Sequence, residues 1–184
     1  MKRLLRLAAL VAALAPAWAH AGTITVGIGA FAGTSIPVVQ DDVKSGMLYG
    51  VRVPVNLVKL VTVEPYFART ALGDAKAAVD GFTYTRSGFD VTAFGANALL
   101  GSPGGPGFHF YPYVGIGSHK LTRTGSEDLT EVGYNFGIGL GLSPVPGLSV
   151  QARGELNMVV TGDTSRKFGN ATLGLSYNLL RGLP

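Results

Sequence analysis

From residue 22 onward, hydrophobic and polar positions alternate with a period of two, not the 3.6 of a helix. In "EVGYNFGIGLGL", Val132, Tyr134, Phe136, Ile138, Leu140 and Leu142 share one face. Gly133, Asn135, Gly137, Gly139 and Gly141 share the other. "LSVQARGELNMVV" sets Leu148, Val150, Ala152, Leu156 and Met158 against Ser149, Gln151, Arg153, Glu155 and Asn157, with Gly154 the only break. "FGNATLGLSYNLL" sets Ala171, Leu173, Leu175, Tyr177 and Leu179 against Asn170, Thr172, Gly174, Ser176 and Asn178.

Earlier segments repeat the pattern. "MLYGVRVPVNL" opposes Met47, Tyr49, Val51, Val53, Val55 and Leu57 to Gly50, Arg52, Pro54 and Asn56. "VTVEPYFART" opposes Val61, Val63, Pro65 and Phe67 to Thr62, Glu64, Tyr66 and Ala68. In 89–100, Phe94, Ala96, Ala98 and Leu100 are set outward, which turns Asn97 inward. "FHFYPYVGIGSHK" opposes Phe108, Phe110, Val114 and Ile116 to His109, Tyr111, Tyr113, Gly115 and Gly117. With "TITVGIGAFAGT" at 23–34, this predicts eight strands. Ile24, Val26, Ile28 and Ala30 face one way, Gly27 and Gly29 the other, and a bulge is expected at Phe31. Connections at 58–60, 101–107 and 143–147 are tight, whereas those at 35–46, 71–88, 122–130 and 161–167 are longer or more polar. The expectation is an all-β, eight-stranded antiparallel up-and-down transmembrane barrel.

One face is bulky and apolar on nearly every strand, and the other mixes glycine, Asn, Thr and Ser with a few charges. An eight-stranded barrel has an interior just wide enough for side chains. The glycine and polar face fits it; the Phe, Leu and Tyr face would overfill it. The apolar face therefore meets lipid. This places Arg52, Glu64, Arg153 and Glu155 in the lumen, two charges of each sign. Buried charges require partners, so a lumen polar network is expected from these four with Asn97, Asn135 and Asn157, supported by Asn56, Gln151 and Asn170.

The N-terminus changes the reading of charge. Lys2, Arg3 and Arg6, the uncharged run Leu7–Leu14, Pro16 and Ala19-His20-Ala21 form a signal-peptide pattern. Residues 1–21 are expected to be cleaved after Ala21, leaving 22–184 as the barrel domain. Twelve basic and eleven acidic residues then remain, a net charge of +1, so the pI of about 9.5 belongs largely to the leader. No nucleic-acid surface follows. The chain has no cysteine, which excludes disulfides, thiolate metal sites and a cysteine nucleophile.

Three motifs invite other chemistry. Gly27-x-Gly29-x-x-Ala32 approaches a dinucleotide fingerprint, but that motif must open a helix, and here "TSIPVVQDDVKSG" follows. His109 and His119 are ten residues apart, about 33 Å along a strand, too far to share a metal or proton. Ser118 and His119 are adjacent, so they point to opposite faces. No catalytic, cofactor or metal residue is assigned. The segment 71–88, with Asp74, Lys76, Asp80 and Arg86, is the longest exposed loop and the expected place for an extracellular ligand. Phe82 and Tyr84 alternate there, as in an extended strand pair.

The leader, the eight amphipathic strands, "YNFGIGLGL" and the final "ATLGLSYNLL" resemble the OmpA-like and OmpX-like outer membrane β-barrel superfamily across residues 22–180. The resemblance implies location in the outer membrane of a Gram-negative-type bacterium and contact with outer membrane lipids. It also implies insertion by the barrel assembly machinery, which reads a C-terminal strand usually ending in an aromatic. Here the chain ends "YNLLRGLP", with Tyr177 inside the strand. The expected function is structural or surface-interacting, as a monomer with a side-chain-plugged lumen. The alternatives are a narrow pore, or an enzyme on envelope lipids with His119 as its acid/base.

Overall fold

The computed structural model describes residues 24–38, 43–58, 60–79, 82–104, 107–162 and 164–183. The expected leader lies outside them. Ten strands follow in order: β1 (Ile24–Val38), β2 (Val43–Arg52), β3 (Val55–Val58), β4 (Val61–Val79), β5 (Phe82–Arg86), β6 (Asp90–Leu100), β7 (Gly107–Thr122), β8 (Leu129–Val145), β9 (Leu148–Thr161) and β10 (Thr164–Leu183). All pairings are antiparallel, and β10 closes on β1 from Ile24↔Leu183 to Val38↔Lys167.

The ring has eight staves, because β2 and β3 form one stave broken at Val53-Pro54; both halves pair with β1 and β4. The sequence pattern had suggested one unbroken strand. Proline has no N–H to give a ladder, and the gap is bridged by Gly27 N–H to the Pro54 carbonyl and Val53 N–H to the Pro65 carbonyl, both at 2.9 Å.

The faces sort by alternation. Val51, Phe67, Phe94, Val114, Ile116, Phe136, Ile138, Leu173 and Leu175 are exposed outward. Arg52, Glu64, Asn97, Asn135, Gln151, Arg153 and Asn157 are buried inward. Aromatics mark both ends of the outer band: Phe108, Phe110 and Tyr177 near the tight turns, Tyr49 and Tyr134 towards the other end. Such girdles sit at the two membrane interfaces. Outward ion pairs lie at and beyond the second: Arg69, directly opposite Tyr49, meets Asp90 at 3.1 Å, and Lys120 meets Asp128 at 2.7 Å.

Further expectations need correction, among them the connection at 161–167, which is largely strand because β9 ends at Thr161 and β10 begins at Thr164. Phe31 lies in unbroken register, Ala30↔Val51, Phe31↔Gly50, Ala32↔Tyr49, so no bulge occurs there. The residue keeps inward parity because the lumen gives it two partners, the Arg52 guanidinium and the Leu48–Ala68–Ala93 cluster. The segment 71–88, expected as a loop, is mostly strand, in line with the alternation of Phe82 and Tyr84: β4 continues to Val79 and pairs β5 from Ala75↔Arg86 to Val79↔Phe82. Asp80 falls outside the described residues. The turn expected at 143–147 shrinks to Pro146-Gly147, with Gly147 at φ +93°, because β8 runs on to Val145 past a register shift after Leu142.

The inward face is also less uniformly polar than its composition suggested. Towards the long connections, Val43, Leu72, Phe89, Val91, Leu121, Val159 and Phe168 form an apolar cluster, with Phe89 and Phe168 edge to face at 6.2 Å. The reason is length. The 17 residues of β8 extend about 56 Å at strand rise, which at a tilt of about 40° is about 43 Å of barrel height, and an outward apolar band is only about 25 Å tall. Above the band the barrel stands in water, where its interior needs an apolar core as a soluble barrel does.

Candidate functional site

The lumen wall is assembled from residues far apart in sequence. Glu64 on β4 and Arg153 on β9 meet across the barrel in a bidentate pair, Nη1–Oε1 2.5 Å and Nη2–Oε2 2.7 Å. Side-chain exposure is 0% for Glu64 and 4% for Arg153. A fork-on-fork pair of this kind fixes orientation as well as charge.

On the tight-turn side, Arg153 Nε donates to the Tyr111 hydroxyl at 3.0 Å, and that hydroxyl donates to Gln151 Oε1 at 2.9 Å. Gln151 Nε2 donates to Ser176 Oγ at 2.7 Å. The Arg153 guanidinium also lies 5.2 Å from the ring centres of both Tyr111 and Tyr113. On the other side, Asn97 Nδ2 approaches Glu64 at 3.4 Å, and Asn135 Nδ2 donates to Asn97 Oδ1 at 2.9 Å and to Glu155 at 2.8 Å. Glu155 also accepts from Asn157 at 2.5 Å and Asn170 at 3.1 Å.

Six of the seven expected lumen residues thus share one hydrogen-bonded chain: Glu64, Arg153, Glu155, Asn97, Asn135 and Asn157. Arg52 is buried but stands apart, with its guanidinium 4.9 Å from the Phe31 ring centre. Asn56 is also separate, accepting from Thr62 Oγ1 at 2.5 Å near the tight-turn rim. His119 is inward and buried, while Ser118 pairs with exposed Val132 on the outward side. Gly27 and Gly29 lie within β1, and no helix follows them.

Two contributors carried weaker signals. Tyr111 and Tyr113 had inward parity, but their role follows from cross-strand partners Gly139 and Gly137. A Cβ at Gly139 would come 2.3 Å from the Tyr111 ring, and one at Gly137 2.7 Å from the Tyr113 ring. These glycines are seats for the two phenols. The turn at 101–104 was expected only as a connection, yet Pro103 is fully buried and its carbonyl accepts from Ser149 Oγ at 2.5 Å. The Gly104 carbonyl lies 3.5 Å from Asn178 Nδ2, so the turn touches β9 and β10 on another part of the ring.

The model of the outer membrane protein beta-barrel domain family matches residues 5–178. No curated protein matches the chain. Among solved structures, Neisserial surface protein A aligns with TM-score 0.61 and 14% identity, covering 86% of this chain and 99% of that one. The N-terminal barrel of Pseudomonas aeruginosa OprF aligns with TM-score 0.51 and 20% identity, covering 84% and 97%. Ail, the attachment invasion locus protein of Yersinia pestis, solved with the heparin analogue sucrose octasulfate, gives 0.50 and 19%, covering 86% and 99%. At these identities the likeness is one of fold. The apolar outward band, the closed ring and the family match over nearly the whole sequence agree: this chain belongs to the outer membrane β-barrel protein family and resides, embedded in lipid, in the outer membrane of Gram-negative-type bacteria.

Proposed function

We propose that the protein is a monomeric, non-conducting and non-catalytic barrel that serves as a rigid outer membrane scaffold and presents its long-connection end to the outside. The observation that carries this reading is the bidentate Glu64–Arg153 pair spanning the lumen. Two further layers support it, the apolar cluster around Phe89 and Phe168 above and the Pro103 turn held by Ser149 below. Side chains filling an eight-stranded lumen leave no continuous water path.

The surface role rests on the β4–β5 hairpin, which extends past the last β2 partner at Asp74 and exposes Tyr84. Its ligand and insertion by the barrel assembly machinery are parts of the same proposal. The enzyme alternative is disfavoured by His119 facing the lumen and Ser118 facing outward, a separation that forbids a shared reacting atom. Planar-bilayer recording of the purified protein tests the reading: no steady conductance is expected, and a stable open channel in the wild type would overturn it. A lipid acyl-transfer assay comparing wild type with His119→Ala should show no turnover in either.

A further inference from the structure

The glycines of the barrel wall are of two kinds. Inward ones such as Gly137 and Gly139 make room for a neighbouring side chain. Gly154 on β9 and Gly169 on β10 face outward and make room for nothing in the protein. A Cβ at Gly154 would meet nothing within 4 Å, and one at Gly169 only Val38 Cγ2 at 3.7 Å and the Ile36 carbonyl at 3.9 Å. Neither glycine has a positive φ, and neither sits at a register shift. Glycine weakens a strand interior and, where there is no bulge, marks a place where a ligand or another backbone comes close.

These two glycines lie in a furrow on the lipid face whose floor follows β10 through Gly169 and Ala171. Its banks at Gly169 are Ile36 on β1 and Leu156 on β9. Beside Ala171 it widens over Thr34 and Gly154 as far as Ile138 on β8. Leu173, 67% exposed, closes the lower end. At the upper end stands Lys167, joined through Met158 to the row that carries the girdle residue Tyr134. The distance from Lys167 to Leu173 is about 20 Å at strand rise.

The Thr34 hydroxyl is spent on the Gly46 carbonyl at 3.2 Å, so the furrow calls for an apolar occupant. A methylene chain follows so long and narrow a depression, whereas side chains of a second barrel would reach its floor only at separate points. Left empty, the lining would forfeit dispersion contacts along its length. Lys167 adds a cation at the height of the headgroups. We infer that the furrow binds a phosphorylated, multiply acylated glycolipid of the outer leaflet, one saturated acyl chain lying along Gly169, Ala171 and Gly154 and a phosphate meeting Lys167. The leaflet rests on the outward orientation proposed above. Labelling of the exposed Lys76 on intact cells by a membrane-impermeant amine reagent tests that orientation separately.

Native mass spectrometry of the mature protein in detergent, titrated with bisphosphorylated lipid A, tests the site. One retained lipid per barrel is expected. Gly154→Leu, which fills the furrow, and Lys167→Gln should each weaken retention by at least about tenfold. Removing both phosphates from the lipid should weaken wild-type retention likewise and change Lys167→Gln little. Ala98→Leu, an equal addition on the lipid face of β6, should bind as the wild type does. Unboiled gel mobility checks that each variant is assembled; should Gly154→Leu fail to assemble, Ala171→Leu fills the same furrow. Retention indifferent to the furrow and Lys167 variants, equal retention of phosphatidylglycerol, or a ladder of several equivalent lipids would overturn the assignment. So would a wild-type dimer that Gly154→Leu splits, which would make the furrow an interface between copies.

Discussion

Glu64 is wholly enclosed, and its hydrogen-bonded cation is Arg153, 89 residues away. Arg153→Ala leaves that carboxylate buried and unpaired, which costs about 3–5 kcal/mol; urea unfolding in micelles should show the loss. The same variant should stay electrically silent in bilayers, because the apolar and Pro103 layers remain. Glycine seats are tested by contrast. Gly139→Ala would drive a methyl into the Tyr111 ring, costing about 1–3 kcal/mol as overpacking does. At Gly154, on the lipid face, a Cβ meets nothing within 4 Å, so Gly154→Ala should change stability by less than about 0.5 kcal/mol. Inward parity of Glu64, Arg153 and Asn97 was legible in single segments. Which carboxylate meets which guanidinium was not, because that depends on how distant strands register around the ring.

At the scale of elements, the alternation located all eight staves, and it misjudged where they end. Strands outlast the membrane, and above it their outward face no longer needs to be apolar, so the hydrophobic pattern fades while the ladder continues. The β4–β5 hairpin is the clearest instance. Asp74 accepts from the Gly88 N–H at 2.8 Å, and Leu72 N–H donates to the Phe89 carbonyl at 3.0 Å, so the base of the hairpin is pinned independently of its arm. Excising 75–86 and joining Asp74 to Ser87 should therefore leave the barrel assembled. Unboiled gel mobility of the excised protein tests this, and loss of the folded band would make the hairpin part of the folding core.

For the whole molecule, closure is the dominant fact. The β1–β10 ladder runs the full length of β1, leaving the ring no open edge along that seam, and every such backbone group in lipid must find its partner within the protein. The protein should accordingly sediment with outer membranes and run with different mobility before and after boiling. Recovery as a soluble periplasmic monomer would contradict the barrel.

Period-two patterning, glycine on one face and large apolar residues on the other are local properties. The sequence by itself thus determined an outward-apolar transmembrane barrel and the parity of its lumen residues. The pairing of Glu64 with Arg153, the isolation of Arg52, the apolar upper lumen and the inward tuck of Pro103 were decided by tertiary structure alone. Each depends on contacts between staves that are remote in the chain, and only ring closure and strand stagger bring those residues to a common height.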